Sequence, residues 1–482
     1  MNILLAASEV VPYAKTGGLA DVAGALPKAL ARLGHKVRVV APRYNIDKIE
    51  SSTKRLEGEL AVPFDSGIRR SAVYVDDSNP VPVYFIDSPE YFSRGNLYGE
   101  PDDPERFAFF SRAILELAKA FGEPLDIIHL NDWMTGLTAA YLKTVYSGER
   151  IFANTRTLFT IHNLAFQGSF GAQLLPKLGL PDWLNTTEGG IEFYGACSCL
   201  KAGLVFADAI STVSPKYSRE IQTPEFGERL DGLLRARRSD LFGILNGVDY
   251  EEWNPETDPY VAAGFSANNL SGKEACKLDL LRAFNLPENL GTPLIGCISR
   301  LSDQKGFDLI LQIARPMLER GVAFVLLGSG AELYERAFQE LHQSVPSQVG
   351  VYLGFSNELA HKIEAGSDMF LMPSRFEPCG LNQMYSLKYG AVPIVRAVGG
   401  LDDTVENFDR STRSGTGFKF YEYDSARLLE KLYEALLVYA DQDIWRVLMV
   451  NGMRADHSWE ASAREYVELY ERLARRGAAA TV

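Results

Sequence analysis

Two doubly wound α/β domains, each built on a parallel sheet, are predicted by three observations. Short apolar runs alternate with helical stretches along the whole chain, the alternation occurs twice with a polar interruption near the middle, and 482 residues exceed what one ordinary core organises. In the first half the strand-like runs fall at 2–7, 36–41, 81–86, 126–130, 157–162, 209–213 and 241–245. In the second half they fall at 293–299, 323–328, 349–353, 369–373, 392–396 and about 417–420. Apolar runs of this kind suit parallel strands covered by helices on both faces. Between the two sets the stretch 249–276 contains Asn254-Pro255, Asp258-Pro259 and Asn268-Asn269, breaks the periodicity and reads as a linker region. Beyond 457, Trp459, Tyr466, Tyr470 and Leu473 lie on one helical stripe that needs a partner surface.

Composition removes several classes of function. At 46% hydrophobic and 23% charged the chain has an ordinary globular make-up. A formal net charge of -13 argues against a nucleic-acid or anionic-membrane partner, whose footprint would be basic. The five cysteines, Cys197, Cys199, Cys276, Cys297 and Cys379, show no paired CxxC spacing and read as reduced thiols. The chain enters its first strand without a basic flank and apolar core of signal-peptide type, and no apolar run is long enough to span a bilayer, so a cytoplasmic location is expected. Dinucleotide, P-loop, GxSxG and HExxH signatures are all missing, which disfavours an oxidoreductase, an ATPase, a serine hydrolase and a zinc enzyme. The Asp441 to Asp443 triplet sits between two helical patterns and reads as a helix start, and no metal is expected.

In open α/β sheets ligands bind beyond the carboxyl ends of strands, so the residues after each run matter most. The first strand is followed by Glu9, then by Lys15-Thr16-Gly17-Gly18-Leu19, Asp21 and a helical pattern at Val22, Leu26 and Leu30. Adjacent glycines before a helix suit a phosphate or sugar approaching the backbone, and also suit a plain turn. Asn131, Asp132 and Trp133 follow the fourth run, His162 and Asn163 the fifth, Asn246 and Gly247 the seventh. In the second half Arg300 and Lys305 precede Gly306 and a helical stripe, a pair of cations able to neutralise a diphosphate. The window 369–390, MFLMPSRFEPCGLNQMYSLKYG, is the most informative. It brings Glu377 to the strand-to-helix turn ending at Gly380, where helix-start N–H groups favour an anion and Glu377 either faces the ligand or complements the helix dipole. Tyr98, Trp133, Phe166 and Tyr194 occur in polar loops from which aromatic rings can stack on sugars.

Taken together, these segments resemble the bacterial and plant glycogen and starch synthases, retaining glucosyltransferases of the GT-B fold. The resemblance is nearly full length and rests on SEVVPYAKTGGLADVAGALPKAL at 8–30, NDW at 131–133, TIHNLAFQG at 160–168, STVSPKYSREI at 211–221, GILNGVD at 243–249, SRLSDQKGFDLI at 299–310, PSRFEPCGLNQMYSLKYG at 373–390 and VRAVGGLDDTV at 395–405. It implies two Rossmann-like domains facing across a deep interdomain cleft. The expected boundaries are 1–246 for an acceptor domain, rejoined by a C-terminal helix at 457–482, and 247–456 for a nucleotide-sugar domain, with hinges near Asn246 to Asp249 and Met453 to His457.

The resemblance also implies ADP-glucose as donor and a growing α-1,4-glucan such as glycogen as acceptor, with no cofactor beyond the donor. Lys15, Arg300 and Lys305 would hold the donor's phosphates together with the backbones of Gly17, Gly18, Gly380 and Leu381, with Ser299 and Thr404 nearby. Glu377 would be the principal catalytic carboxylate, acting with His162, Lys305 and Arg300. Asp21, Asn246 and Cys379 would contact sugar or neighbouring donor groups, and Tyr98 the acceptor. Retention of configuration is compatible with a carboxylate-linked intermediate and with front-face departure and attack. Two other functions suit the same residues: a GT-B enzyme using UDP-glucose or another acceptor, and a non-catalytic glucan or nucleotide sensor.

Overall fold

Apolar runs that end in polar residues form the parallel strands of two main sheets, one in each of two compact units. The computed structural model describes residues 1–45 and 47–479. The first unit comprises Met1–Gly247 with Trp459–Val482, and the second comprises Val248–Ser458.

In the first unit the strands are β1 (Asn2–Ala6), β2 (Lys36–Pro42), β3 (Lys54–Arg55), β4 (Leu60–Phe64), β5 (Gly67–Asp76), β6 (Val83–Asp87), β7 (Ile127–Asn131), β8 (Arg156–Ile161), β9 (Ser169–Phe170), β10 (Glu192–Phe193), β11 (Ala196–Ser198), β12 (Ala209–Thr212) and β13 (Leu241–Gly243). The main sheet runs β13-β12-β8-β7-β1-β2-β6-β5-β3, with β4 paired to β5, and β9 to β11 form a small separate sheet. From β13 to β6 the ladders are parallel. Apart from the edge strand β13, whose residues are half-buried, most of their residues are buried, because helices cover both faces. In chain order β1, β2 and β6 step one way across the sheet, whereas β7, β8, β12 and β13 step the other way. The order therefore reverses between β1 and β7.

In the second unit β14 (Leu294–Ile298), β15 (Ala323–Gly328), β16 (Val349–Leu353), β17 (Met369–Met372), β18 (Val392–Arg396) and β19 (Phe418–Phe420) form one parallel sheet in the order β16-β15-β14-β17-β18-β19. Here the order reverses between β14 and β17. Reversal points of this kind open a crevice at the carboxyl ends of the flanking strands, because the loops from the two neighbours diverge to opposite faces.

Every predicted strand is present. Missing from the expectation are the antiparallel β3 to β5 and the small sheet β9 to β11. The strand β5 starts with exposed and half-buried residues and then alternates buried with half-buried ones from Ser71 to Val75, as an antiparallel strand with one wetter face does, and so lacks the continuous apolar run of its parallel neighbours. Two- and three-residue strands are too short for any periodicity to register.

The stretch 249–276 is not a free linker. Trp253 stacks between His361 and Tyr385, with ring centroids 3.9 Å from each. Asp258 accepts hydrogen bonds from His361 Nδ1 at 2.7 Å and Tyr389 Oη at 2.6 Å, and the helix Ser271–Ala283 begins inside the stretch. Its prolines and asparagines shape turns packed into the second unit. Asp441 caps the helix Gln442–Arg454, accepting from the Ile444 N–H at 3.3 Å. The chain passes between the units at Gly247 and Ser458, where the Val248 N–H donates to the His457 carbonyl at 2.7 Å.

The C-terminal stripe finds its partner in the first unit. On the helix Trp459–Ala479, Trp459, Tyr466, Tyr470 and Leu473 are buried in the core shared with β1, β7 and β8. Arg32, ending the helix Gly18–Arg32, pairs with Glu460 at 2.6 Å. Tyr470 Oη lies 2.8 Å from Nδ1 of His129, a fully buried residue of β7 whose Nε2 is 2.6 Å from Thr160 Oγ1. Burial holds the His129 imidazole neutral, its pKa pushed down to about 3. An unfolded histidine takes a proton near 6.5, so the stability contributed by this neutral ring is present above that pH and is lost as pH falls toward 3. The destabilisation caused by His129→Gln is therefore expected to shrink by roughly 1–2 kcal/mol between pH 7 and pH 5 in urea unfolding. A pH-independent difference would show that this ring is not the proton acceptor. Among the described residues no helix is long and apolar enough to cross a membrane.

Candidate active site

In each unit polar residues singled out from the sequence gather where the strand order reverses, whereas Asn246 follows the edge strand β13 of the first sheet. In the second unit β14 runs into Ser299 and Arg300, then a short 3-10 helix Asp303–Lys305 and the helix Phe307–Leu318. Beside it, β17 leads to Ser374 and Glu377. A Cβ on Gly306 would lie 2.1 Å from the Pro373 carbonyl, and its φ of +74° is left-handed, so only glycine lets the Lys305 turn nest against the end of β17. That approach brings Lys305 Nζ to 2.6 Å from Glu377 Oε2, and Ser374 Oγ donates to the same oxygen at 3.1 Å. Glu377 is 6% exposed. Arg300 is exposed, and among the described residues its guanidinium has no ion-pair partner.

The turn after Glu377 is built against the helix Gly399–Thr404. A Cβ on Gly399 would lie 1.9 Å from the Glu377 carbonyl, and one on Gly400 would lie 2.1 Å from that of Cys379. The VRAVGGL glycines therefore act as a seat for the FEPCG turn. Cys379 is buried, Gly380 has a φ of +72°, and Leu381 caps the helix Asn382–Lys388. Thr404 is buried, its hydroxyl donating to the Gly400 carbonyl at 2.6 Å and accepting from Gln383 at 3.2 Å, so that hydroxyl braces the turn. Ser299 is half-buried, and its N–H donates to the Leu327 carbonyl at 3.1 Å.

In the first unit, loops after β1, β7 and β8 converge. Lys15, Gly17 and Gly18 are exposed, and Lys15 Nζ pairs with Asp21 Oδ1 at 2.6 Å. Asp21 has a raised pKa because burial opposes its charge more than Lys15 favours it. Glu9 accepts from the Thr16 backbone N–H and, at 3.0 Å, from the Thr16 hydroxyl, tying the loop back to the end of β1. Tyr98 joins this group: its hydroxyl is 2.7 Å from Ser8 Oγ and its ring is tilted on Phe107. Trp133 packs edge-on against Phe107 and fills the space a Gly168 Cβ would need, so it is part of the packing. Phe166 and Tyr194 are exposed.

His162 stands at the end of β8. Its Nε2 donates to Asn131 Oδ1 at 2.8 Å, and its backbone N–H donates to Asp132 Oδ1 at 2.7 Å. Burial pushes the imidazole pKa down to about 3, so the ring is neutral, and raises Asp132 to about 7. Asp132, the middle residue of the NDW segment, has a φ of +55°, a strained backbone for a residue with a Cβ. Sequence reasoning noted Asp132 and Glu9 only as polar strand-end residues, and Ser374 and Arg396 only inside motifs.

Asn246 follows β13 and is 5% exposed. Its side-chain oxygen is buried without a hydrogen-bond partner. An unsatisfied buried acceptor costs about 1–3 kcal/mol, a cost that a ligand hydroxyl donating to it would remove. Asn246→Ala is therefore expected to leave thermal stability unchanged or raised while lowering transfer efficiency by roughly 3- to 10-fold, the worth of one such bond. A loss of stability with full transfer would contradict this.

Matches to other proteins cover both units. The starch synthase catalytic domain model matches residues 2–236, and the glycosyl transferases group 1 model matches residues 282–444. The chain is 50% identical over 479 residues to a glycogen synthase of Koribacter versatilis, covering 98% of each chain. It is 45% identical over 478 residues to one of Thermosipho melanesiensis, covering 98% of this chain and 99% of the relative. Among solved structures, the catalytic domain of starch synthase IV from Arabidopsis thaliana, bound to ADP and acarbose, superposes with a TM-score of 0.91 at 36% identity, covering 98% and 99% of the two chains. Sucrose-phosphate synthase from Thermosynechococcus elongatus, at a TM-score of 0.62 and 19% identity, shares the fold. Identity at this level across nearly the full length makes the chain, whose fold is GT-B, a member of the glycogen synthase and starch synthase family of glucosyltransferases.

Proposed function

We propose that the chain transfers glucose from ADP-glucose to the non-reducing end of an α-1,4-glucan, with retention of configuration, and so elongates glycogen in the cytoplasm. The observation that carries this reading is the Lys305 and Glu377 pair, 2.6 Å apart at the reversal point of the second sheet and followed by a helix start. Breaking a glycosyl phosphate bond builds negative charge on the diphosphate and positive charge at the sugar carbon. The ammonium of Lys305, held in place by Glu377, and the guanidinium of Arg300 answer the first charge, and the carboxylate of Glu377 answers the second. The N–H groups of Gly380 and Leu381 add to the anion site. In the first unit Lys15, Gly17, Gly18 and Asp21 offer an ammonium, close backbone approach and a carboxylate to the substrate. Neutral His162 and the buried oxygen of Asn246 offer partners for sugar hydroxyls, and Tyr98 offers a ring for the acceptor. Ser299, Cys379 and Thr404 shape the walls around these groups.

Side-chain cations supply the charge neutralisation in this scheme, so no metal ion is required. Transfer is expected to keep its rate when EDTA is added; its abolition, restored by a divalent cation, would overturn that part. The decisive test of the function is labelled-glucose incorporation into glycogen from ADP-glucose and from UDP-glucose. Faster incorporation from ADP-glucose, into a product cleaved by an α-1,4-specific glucanase, is expected. Preference for UDP-glucose would assign another donor, and no incorporation from either would refute the transferase reading.

A further inference from the structure

The segment that carries Glu377 leaves β17 without ladder partners, so its backbone polar groups must be satisfied by neighbours. Gln304 takes one side: its carbonyl accepts from the Arg375 N–H at 2.8 Å, and its Nε2 donates to the Phe376 carbonyl at 3.3 Å. Gly400 takes the other, its N–H shared between the Glu377 and Pro378 carbonyls at 3.2 Å each. The Arg375 carbonyl is held by a charge. Arg396, the last residue of β18 and 9% exposed, donates from Nη1 to that carbonyl at 2.5 Å and from Nε to the Tyr421 carbonyl at 3.0 Å.

This guanidinium is itself held. Its Cζ lies 5.4 Å from the centroid of the Tyr423 ring, and the Arg375 guanidinium lies over the same ring at 4.0 Å. Tyr423 Oη donates to Asp308 Oδ1, and Asp308 Oδ2 is 3.7 Å from Arg375 Nη2. The planar fork of an arginine spans two carbonyls in one orientation, which a flexible lysine does not reproduce. Arg375 is two residues from Glu377, so a shift of its carbonyl reaches the carboxylate with little slack, and a misplacement of about 1 Å at a reacting group costs up to about 100-fold in rate.

We infer that Arg396 is a positioning residue for glucosyl transfer: by gripping the Arg375 carbonyl it fixes the backbone from which Glu377 reaches Lys305. This rests on Glu377 being the catalytic carboxylate, and the test separates the two ideas. Turnover and donor KM are to be measured for the native chain, Arg396→Gln, Glu377→Gln and the double variant. Arg396→Gln is expected to lower kcat about 10- to 100-fold with donor KM changed less than about threefold, and Arg396→Lys to recover part of the loss. In the Glu377→Gln background, Arg396→Gln is expected to change the residual rate by less than about threefold, because the group it positions is already gone. The same fold-loss in both backgrounds, or a loss confined to donor KM, would overturn the inference. If Arg396→Gln does not accumulate as folded protein, the cycle built on Arg396→Lys is judged by the same criterion. A Glu377→Gln variant at the native rate would remove the reading of Glu377 and this inference with it, whereas a slow Glu377→Gln with additive Arg396 losses removes this inference alone.

Discussion

Replacing Glu377 by glutamine is expected to lower kcat by about 10²- to 10³-fold while donor KM moves little, the signature of an interaction made mainly in the transition state. Glutamine keeps the volume of the side chain and can still accept from Ser374, which sits 3.1 Å from Oε2 in the native chain, so the turn keeps its shape. What is lost is a fixed negative charge in a site only 6% exposed, where little water is available to replace it. The variant also leaves the ammonium of Lys305 without its carboxylate. Initial rates against donor concentration, with unfolding curves to verify the fold, are the measurement. A kcat within about threefold of native would remove Glu377 from the chemistry.

Lys305→Ala attacks the same pair from the other side. The expected loss is again about 10²- to 10³-fold in turnover, because the alanine neither neutralises the leaving diphosphate nor orients Glu377. A stability cost is expected too. Removing one partner of a fully buried ion pair costs about 3–5 kcal/mol, but the Lys305 side chain is 21% exposed, and water entering the gap should reduce the cost to roughly 1–2 kcal/mol. Glu377→Gln carries no such penalty of an unpaired buried carboxylate, so the two variants should separate in thermal stability while agreeing in turnover. An unchanged kcat with weakened glucan affinity alone would refute the role of Lys305. Because the two groups touch, their losses should not multiply: the double variant is expected close to the slower single variant.

Some of this was legible beforehand for identifiable reasons. The parallel strands appear as apolar runs because both of their faces are covered, and the residues after those runs, from Lys15 to Glu377, could be read as strand-end chemistry for the same reason. The last helix announced a missing partner through its stripe of Trp459, Tyr466, Tyr470 and Leu473. The β3 to β5 hairpin was silent because a strand with one wet face mixes polar and apolar residues. The polar stretch after Asp249 was misleading, since proline and asparagine mark turns whether those turns are free or packed around a residue such as Trp253.

By itself the sequence determined where the parallel strands lie, which residue types follow them and, through its motifs, the family and its chemistry. Tertiary structure alone decided which loops are neighbours. Lys305 and Glu377 are 72 positions apart and meet because β17 returns to the side of β14. Lateral strand order is set by how crossover helices pack on the sheet, an interaction between distant segments that leaves no local periodicity to read. The same holds for the strained backbone of Asp132, the unpartnered oxygen of Asn246 and the grip of Arg396 on the Arg375 carbonyl. Each depends on what surrounds the residue in space, and neighbours in space are chosen by packing.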